Sequence, residues 1–354
     1  MPLPSDKNWL CRLGVFVSLL LLATMIRPTP NRAADESSRR AETFLRRDRG
    51  LTRVPGGDVW LSTSEYQVRE NLRGLDDARR DVVIRQRELD ERARRNRVTW
   101  ETCQRQIAAL RNALSSPEAD DADKRKIRQR IEEWRSRAID PKKLAAEPDV
   151  RLLLIQLIND RDRLALTLIS LRRSIPRIGP EYERLAADDE VQAALRQLGP
   201  SHRLGPLSEN YGKELRRLPD YERIVFTPWV PVYLHRGRVR VGLIVNERTP
   251  VTFTWQDSND PLVMPDTIAE AAGIERAARG EPAVPIQLGR GRRLLTHSRT
   301  VSAIRLGKYV LGDVPCLVLP PEAEDVGAQI GIDAWSGYDA KVELERFRIF
   351  LQPH

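Results

Sequence analysis

Cysteine and histidine are scarce in this chain of 354 residues. Cys11, Cys103 and Cys316 are too few for a disulfide framework and stand at no zinc-site spacing. His202, His235, His297 and His354 form no HExxH pair. A Walker-type glycine loop and a GxSxG elbow are both missing. These absences argue against a zinc hydrolase, a P-loop NTPase and an α/β-hydrolase, and no cofactor or metal is expected. Long apolar runs are also lacking, with one exception at the N-terminus, so a multi-span membrane protein is excluded.

Charge is plentiful but uneven. Lys and Arg number 59 against 50 Asp and Glu, a formal net charge of +9. Residues 230–354 carry 15 basic and 15 acidic side chains, so the whole excess precedes them. In the first part acids are interleaved with the arginines, the pattern of a solvated face laced with i,i+4 pairs. No nucleic-acid partner is expected.

The exceptional run is Leu13 to Ile26, LGVFVSLLLLATMI, preceded by Lys7 and Arg12. Its 14 residues suit the apolar core of a signal peptide and fall short of the roughly 20 that span a bilayer. Arg32 spoils the small-residue cleavage pattern at Ala33 and Ala34. Residues 1–34 therefore read as a signal peptide or a membrane anchor. The expected location is outside the cytoplasm, in the periplasm or cell envelope, with either a free chain or an N-terminal membrane tether.

The remainder divides by composition. Residues 35–64 read as a flexible linker. Residues 65–200 read as a helical coiled coil or bundle. Leu75, Val82, Leu89, Asn96, Cys103 and Leu110 recur every seven residues, and Leu72, Arg79, Gln86, Ala93, Trp100, Ile107 and Leu114 form a weaker series offset by three. Pro117 ends this helix, with Ser116 as cap for the next. Residues 150–175 are apolar over so wide an arc that they must be buried among neighbours. A second linker is read at 201–224, and an all-β domain at 225–354.

In that last stretch Val239, Val241, Leu243 and Val245 alternate with other residues, as do Val251, Phe253 and Trp255 after a turn at 246–249. Then come Asp257-Ser258, a short strand (LVMP), a helix (TIAEAAG) ending in Gly273, a hairpin (QLGRGRRLL), further strands, an acidic stretch and Gln329-Ile330-Gly331. This order resembles the retropepsin-like aspartic proteases, in particular exported bacterial members with an N-terminal helical region. The fold class is thus α+β and multidomain: a signal or anchor, a long α-helical region and a C-terminal all-β acid-protease domain.

The resemblance implies peptide-bond hydrolysis by two aspartates, one from each half of a dimer. Asp257 would be the catalytic carboxylate and Ser258 the brace of its turn. Gly331 would belong to the apolar-apolar-Gly motif, and Leu288, Gly289 and Gly291 to a substrate-covering flap. The implied partners are a peptide or protein substrate and a second copy of the chain, joined through the β-domain, the helices or both. The chain departs from the family where the Gly after Asp-Ser should stand: Asn259, Asp260 and Pro261 follow instead. Asn tolerates positive φ next best after Gly, Asp260 adds a carboxylate to an already repulsive pair, and Pro261 removes an N–H. The alternative reading is a catalytically inactive pseudoprotease serving as a peptide-binding or envelope scaffold.

Overall fold

The computed structural model describes residues 32–115, 120–206, 211–256, 261–278, 281–288, 292–335 and 337–354. The apolar run 13–26 and the cap at Ser116 lie outside them. Among the described residues no helix is long and apolar enough to cross a membrane. A helix-rich N-terminal region precedes a C-terminal β-sheet domain, and the chain divides into two compact units, residues 1–67 with 176–209 and residues 68–175 with 210–354.

The first unit corrects the reading of 35–64 as a linker. Helix α1 spans Arg32–Arg47, and strands β1 (Thr52–Arg53) and β2 (Val59–Leu61) follow before helix α2 (Thr63–Arg73). Ala41 and Leu45 lie one turn apart and bury with Leu51, Trp60, Val191 and Leu195. An Arg-rich surface conceals this short apolar stripe in a compositional reading. The Ser62 hydroxyl accepts the Glu65 N–H at 3.1 Å, and buried Glu65 accepts the Tyr182 hydroxyl, so an S-x-x-E start is tied to a distant helix.

In the second unit helix α3 runs from Leu75–Leu114, and helix α4 (Asp121–Ser136) folds back along it. The seven-residue series is used within one chain. Leu75, Val82, Leu89, Cys103 and Ile107 are buried. Asn96 donates from Nδ2 to the Ile139 carbonyl at 2.9 Å, fixing where the chain crosses back. The arginines pair along the outer face, as at Arg92–Glu88 and Arg95–Glu91.

Helix α5 (Pro148–Ser174) starts with proline at its first turn, where a missing N–H costs nothing. One side lies antiparallel on α3, where Arg85 pairs with Asp160 and Arg163 with Asp81. The other side packs on the β-sheet, which explains its wide apolar arc. Helices α6 (Ile178–Ala186) and α7 (Asp189–Leu198) and strand β3 (Arg203–Leu204) belong to the first unit. Helix α8 (Tyr211–Val225) corrects the reading of 201–224 as a linker; Leu218, Tyr221 and Val225 bury a stripe despite Pro219.

The sheet comprises β4 (Trp229–His235), β5 (Arg238–Val245), β6 (Thr249–Gln256), β7 (Leu262–Pro265), β8 (Val284–Leu288), β9 (Arg292–Leu306), β10 (Tyr309–Leu319), β11 (Gln329–Gly331), β12 (Tyr338–Glu343) and β13 (Arg348–Pro353), with helix α9 (Asp266–Ala271) after β7. Strand order is β12-β13-β4-β5-β6-β11-β7-β10-β9-β8. A further pairing of β5 with β9, at Ile244 with Arg305 and Val245 with Ile304, closes six of these strands into a ring. Val241, Leu243, Phe253, Trp255, Ile304 and Ile330 fill its interior, so the alternation read from β5 and β6 holds. The β5–β6 turn takes positive φ at Asn246 and Glu247, the geometry whose twist suits a two-residue hairpin.

Two side chains of α5 set the helix on the sheet. Arg161 is buried and donates to the carbonyls of Ile224 and Val225 at 2.9 Å and to the Thr227 hydroxyl at 2.8 Å. Its guanidinium lies 4.7 Å from the centre of the Trp229 ring. A cation thus closes the C-terminus of α8, where orphan carbonyls collect partial negative charge. Burial lowers the pKa of Arg161 to about 10. Asp162, its neighbour, faces a small cavity also lined by Gly242 and Arg305. Burial raises its carboxyl to about 7, opposed by the charge of Arg161.

Candidate functional site

In sequence Asp257 falls between two strands that are not neighbours in the sheet. β6 ends at Gln256 and β7 begins at Leu262, and β11 lies between them. β11 runs parallel to β6, with Gln329 opposite Thr254, Ile330 opposite Trp255 and Gly331 opposite Gln256. It runs antiparallel to β7, with Gln329 opposite Val263. The chain therefore leaves the sheet at Gln256 directly beside Gly331, two motifs 75 residues apart in sequence. Asp257, Ser258, Asn259 and Asp260 themselves lie outside the described residues, as do Gly289 and Gly291.

Around this point polar side chains are buried (Thr254, Gln329) or half-buried (Gln256) on an apolar frame. Gln256 donates from Nε2 to Oε1 of Gln329, and Gln329 donates to the Val326 carbonyl at 3.3 Å. Thr254 is 2% exposed, and its hydroxyl has no hydrogen-bond partner among the described residues. Buried polar groups are normally satisfied, so Thr254, Gln256 and Gln329 mark the place where the sheet stops being pure core. Sequence reasoning passed over all three as site residues. Their signal was polarity at the end of strands otherwise filled by Val, Phe, Trp and Ile. Trp255 and Trp335 are core residues; Trp335 stands edge-on to Tyr338 with ring centres 6.1 Å apart.

The expected hairpin at 286–295 is present. β8 pairs antiparallel with β9 from Val284 opposite Thr296 to Leu288 opposite Arg292. Leu288 is the last residue of β8. Ile286 and Leu294 pack with Val263 of β7, Leu319 and Ala323, which ties the hairpin to the strand that follows the Asp257 loop. Its base is clamped by Arg299, which donates to both oxygens of Glu281, one at 2.6 Å, and to the Glu275 carbonyl at 2.9 Å. The Arg299 hydrogen bonds, then the Ala278 N–H, hold the Glu281 carboxyl down at about 2. His297 is half-buried, and its Nδ1 has no hydrogen-bond partner among the described residues. Cys316, beside Leu262 of β7, is buried, and desolvation pushes its thiol up to about 12; it is no nucleophile at neutral pH. Among the described residues no cluster of His, Cys, Asp and Glu could hold a metal ion.

No protein-family model matches the chain, and no curated protein does. Among solved structures, the crystal structure of a retropepsin-like aspartic protease from Rickettsia conorii is similar at 11% identity and a TM-score of 0.29. The likeness covers 35% of this chain and 89% of that one. A score of that size does not establish a common fold.

Proposed function

We propose that residues 225–354 form a retropepsin-like acid-protease unit and that the chain is an aspartic-type endopeptidase working as a homodimer. The observation that supports this reading is the threading of β11 between β6 and β7. It brings Gln256, the residue before Asp257, beside Gly331, and the β8–β9 hairpin packs on β7.

In this reading each copy contributes one Asp257. Two carboxylates at close range hold one proton between them, because both cannot ionise side by side. The charged member takes a proton from a water molecule as its oxygen attacks the peptide carbonyl carbon. Collapse of the tetrahedral adduct breaks the C–N bond, and the departing nitrogen takes up a proton from the pair. Ser258 braces the turn, and Thr254, Gln256 and Gln329 position it. Leu288, Gly289 and Gly291 form the end of the hairpin that covers substrate.

A second reading rests on one feature, the replacement of the motif glycine by Asn259-Asp260-Pro261. In it the same unit binds peptides without cleaving them and serves as a scaffold in the cell envelope. Full-length protein incubated with a diverse peptide library across pH 3–7 separates the two. Cleavage abolished by Asp257→Asn supports the enzyme. Binding without cleavage supports the pseudoprotease, and a strict monomer in sedimentation at micromolar concentration contradicts the dyad.

A further inference from the structure

The second heptad series of α3 carries Gln86 and Ala93 where an apolar seam would carry large side chains, and there the structure opens. A groove of about 390 Å³ runs between α3 and the C-terminal strands, within the roughly 300–1,000 Å³ range of ligand sites. Gln86, Asp90, Ala93, Arg94 and Arg97 supply one wall, from a single helix face. Trp229, Glu345, Arg346 and Arg348 supply the other.

The charges facing the groove are not balanced: four guanidinium groups face two carboxylates. Arg97 bonds Glu345 across it at 3.2 Å, and Arg348 bonds Glu343 at 2.7 Å. Arg346 comes no nearer than 3.9 Å to that same Glu343. Arg94 is exposed and has no ion pair among the described residues. Gln86 donates to Asp90 at 3.0 Å, but its Oε1 is buried without a hydrogen-bond partner among the described residues. The groove thus carries two guanidinium groups, those of Arg94 and Arg346, that its own carboxylates leave unpaired or only loosely paired.

We propose that this groove binds an acidic peptide segment, whose side-chain carboxylates meet Arg94 and Arg346. A polyphosphate suits the site less well, since its denser negative charge would stand against Asp90 and Glu345. Mixed signs along an open groove instead match an extended chain, whose carboxylates are spaced along a neutral backbone. The inference does not rest on any activity at Asp257.

Fluorescence anisotropy with full-length protein and labelled hexaglutamate tests it, with hexalysine and hexaglutamine as controls. Hexaglutamate should bind, and more weakly in high salt, because exposed charges are screened. The double variant Arg94→Gln, Arg346→Gln should weaken it by roughly tenfold or more. Ala93→Leu, which fills the groove without changing charge, should also weaken it. Arg92→Gln, which breaks a surface pair with Glu88, should leave it unchanged. Equal binding of hexalysine, no binding at millimolar peptide, or affinity unchanged in the double variant would overturn the proposal. So would displacement of the peptide by inorganic pyrophosphate at concentrations below the peptide's own Kd, which would make this a phosphate site.

Discussion

Asp162 carries the clearest pH signature of any side chain at the contact between α5 and the sheet. It lines the cavity beside Gly242 with Arg161 and Arg305 as its charged neighbours, and Arg161 is already committed to carbonyls of α8 and to Thr227. Its folded value of about 7 lies above the ordinary 3.8. The folded chain therefore keeps a proton that the unfolded chain releases between those values. That contribution is complete below about pH 4 and is lost as pH rises through about 7. Thermal melts of wild type and Asp162→Asn at pH 5 and pH 8 check this. The variant should melt above wild type at pH 8, with a smaller difference at pH 5. Identical shifts at both values would mean that the carboxyl is ionised throughout. Nothing in the sequence marked Asp162, because its environment is made by β5 and β9, some 80 and 140 residues downstream.

At the scale of elements, the packing of α5 on β5 depends on a glycine. A Cβ at Gly242 would stand 2.5 Å from Cγ2 of Ile158 and 3.3 Å from Oδ2 of Asp162. Gly242→Ala should therefore push helix from sheet and cost about 1–3 kcal/mol, the usual range for an overpacked core. In a double-mutant cycle with Ile158→Ala the two effects should be non-additive by more than about 0.5 kcal/mol. A single variant within a few tenths of wild type would show that the contact yields freely. This pair also shows what was legible in the sequence. Period-2 alternation at Val239 to Val245 and Val251 to Trp255 identified β5 and β6, because one face of each strand fills one core. The wide apolar arc of α5 announced burial on two sides. It could not announce a sheet as one of the partners, since Gly242 and Ile244 on the reverse face of β5 look like any residues between core positions. The stretches 35–64 and 201–224 were obscured for a related reason: short stripes such as Ala41 and Leu45, or Leu218, Tyr221 and Val225, become core only when distant segments cover them. The candidate site was legible as an order of motifs. The Thr254–Gln256–Gln329 group was not, because it exists only once β11 inserts beside β6.

At the scale of the molecule, α5 and the β-sheet share one compact unit. A fragment cut near residue 225 would strip the helix from its sheet, so the proposed activity is tested on the full chain. Export is proposed from the apolar run 13–26 with its basic flank. Residues 1–40 fused to a reporter active only outside the cytoplasm should give signal, and silence beside a working control signal would contradict it. The central claim is that Asp257, which follows the end of β6 beside Gly331, belongs to an aspartic-protease site altered by Asn259, Asp260 and Pro261. Its most direct measurement is peptide cleavage by the full-length triple variant Asn259→Gly, Asp260→Ala, Pro261→Ser, with and without Asp257→Asn. Restoring the family pattern supplies a glycine, which takes positive φ without strain, and removes the extra carboxylate. The account predicts cleavage with an acidic bell-shaped pH profile in the triple variant, equal to or above that of the native chain, and none once Asp257 is replaced. A folded, dimeric triple variant that cleaves no peptide, or one whose cleavage survives Asp257→Asn, would contradict it.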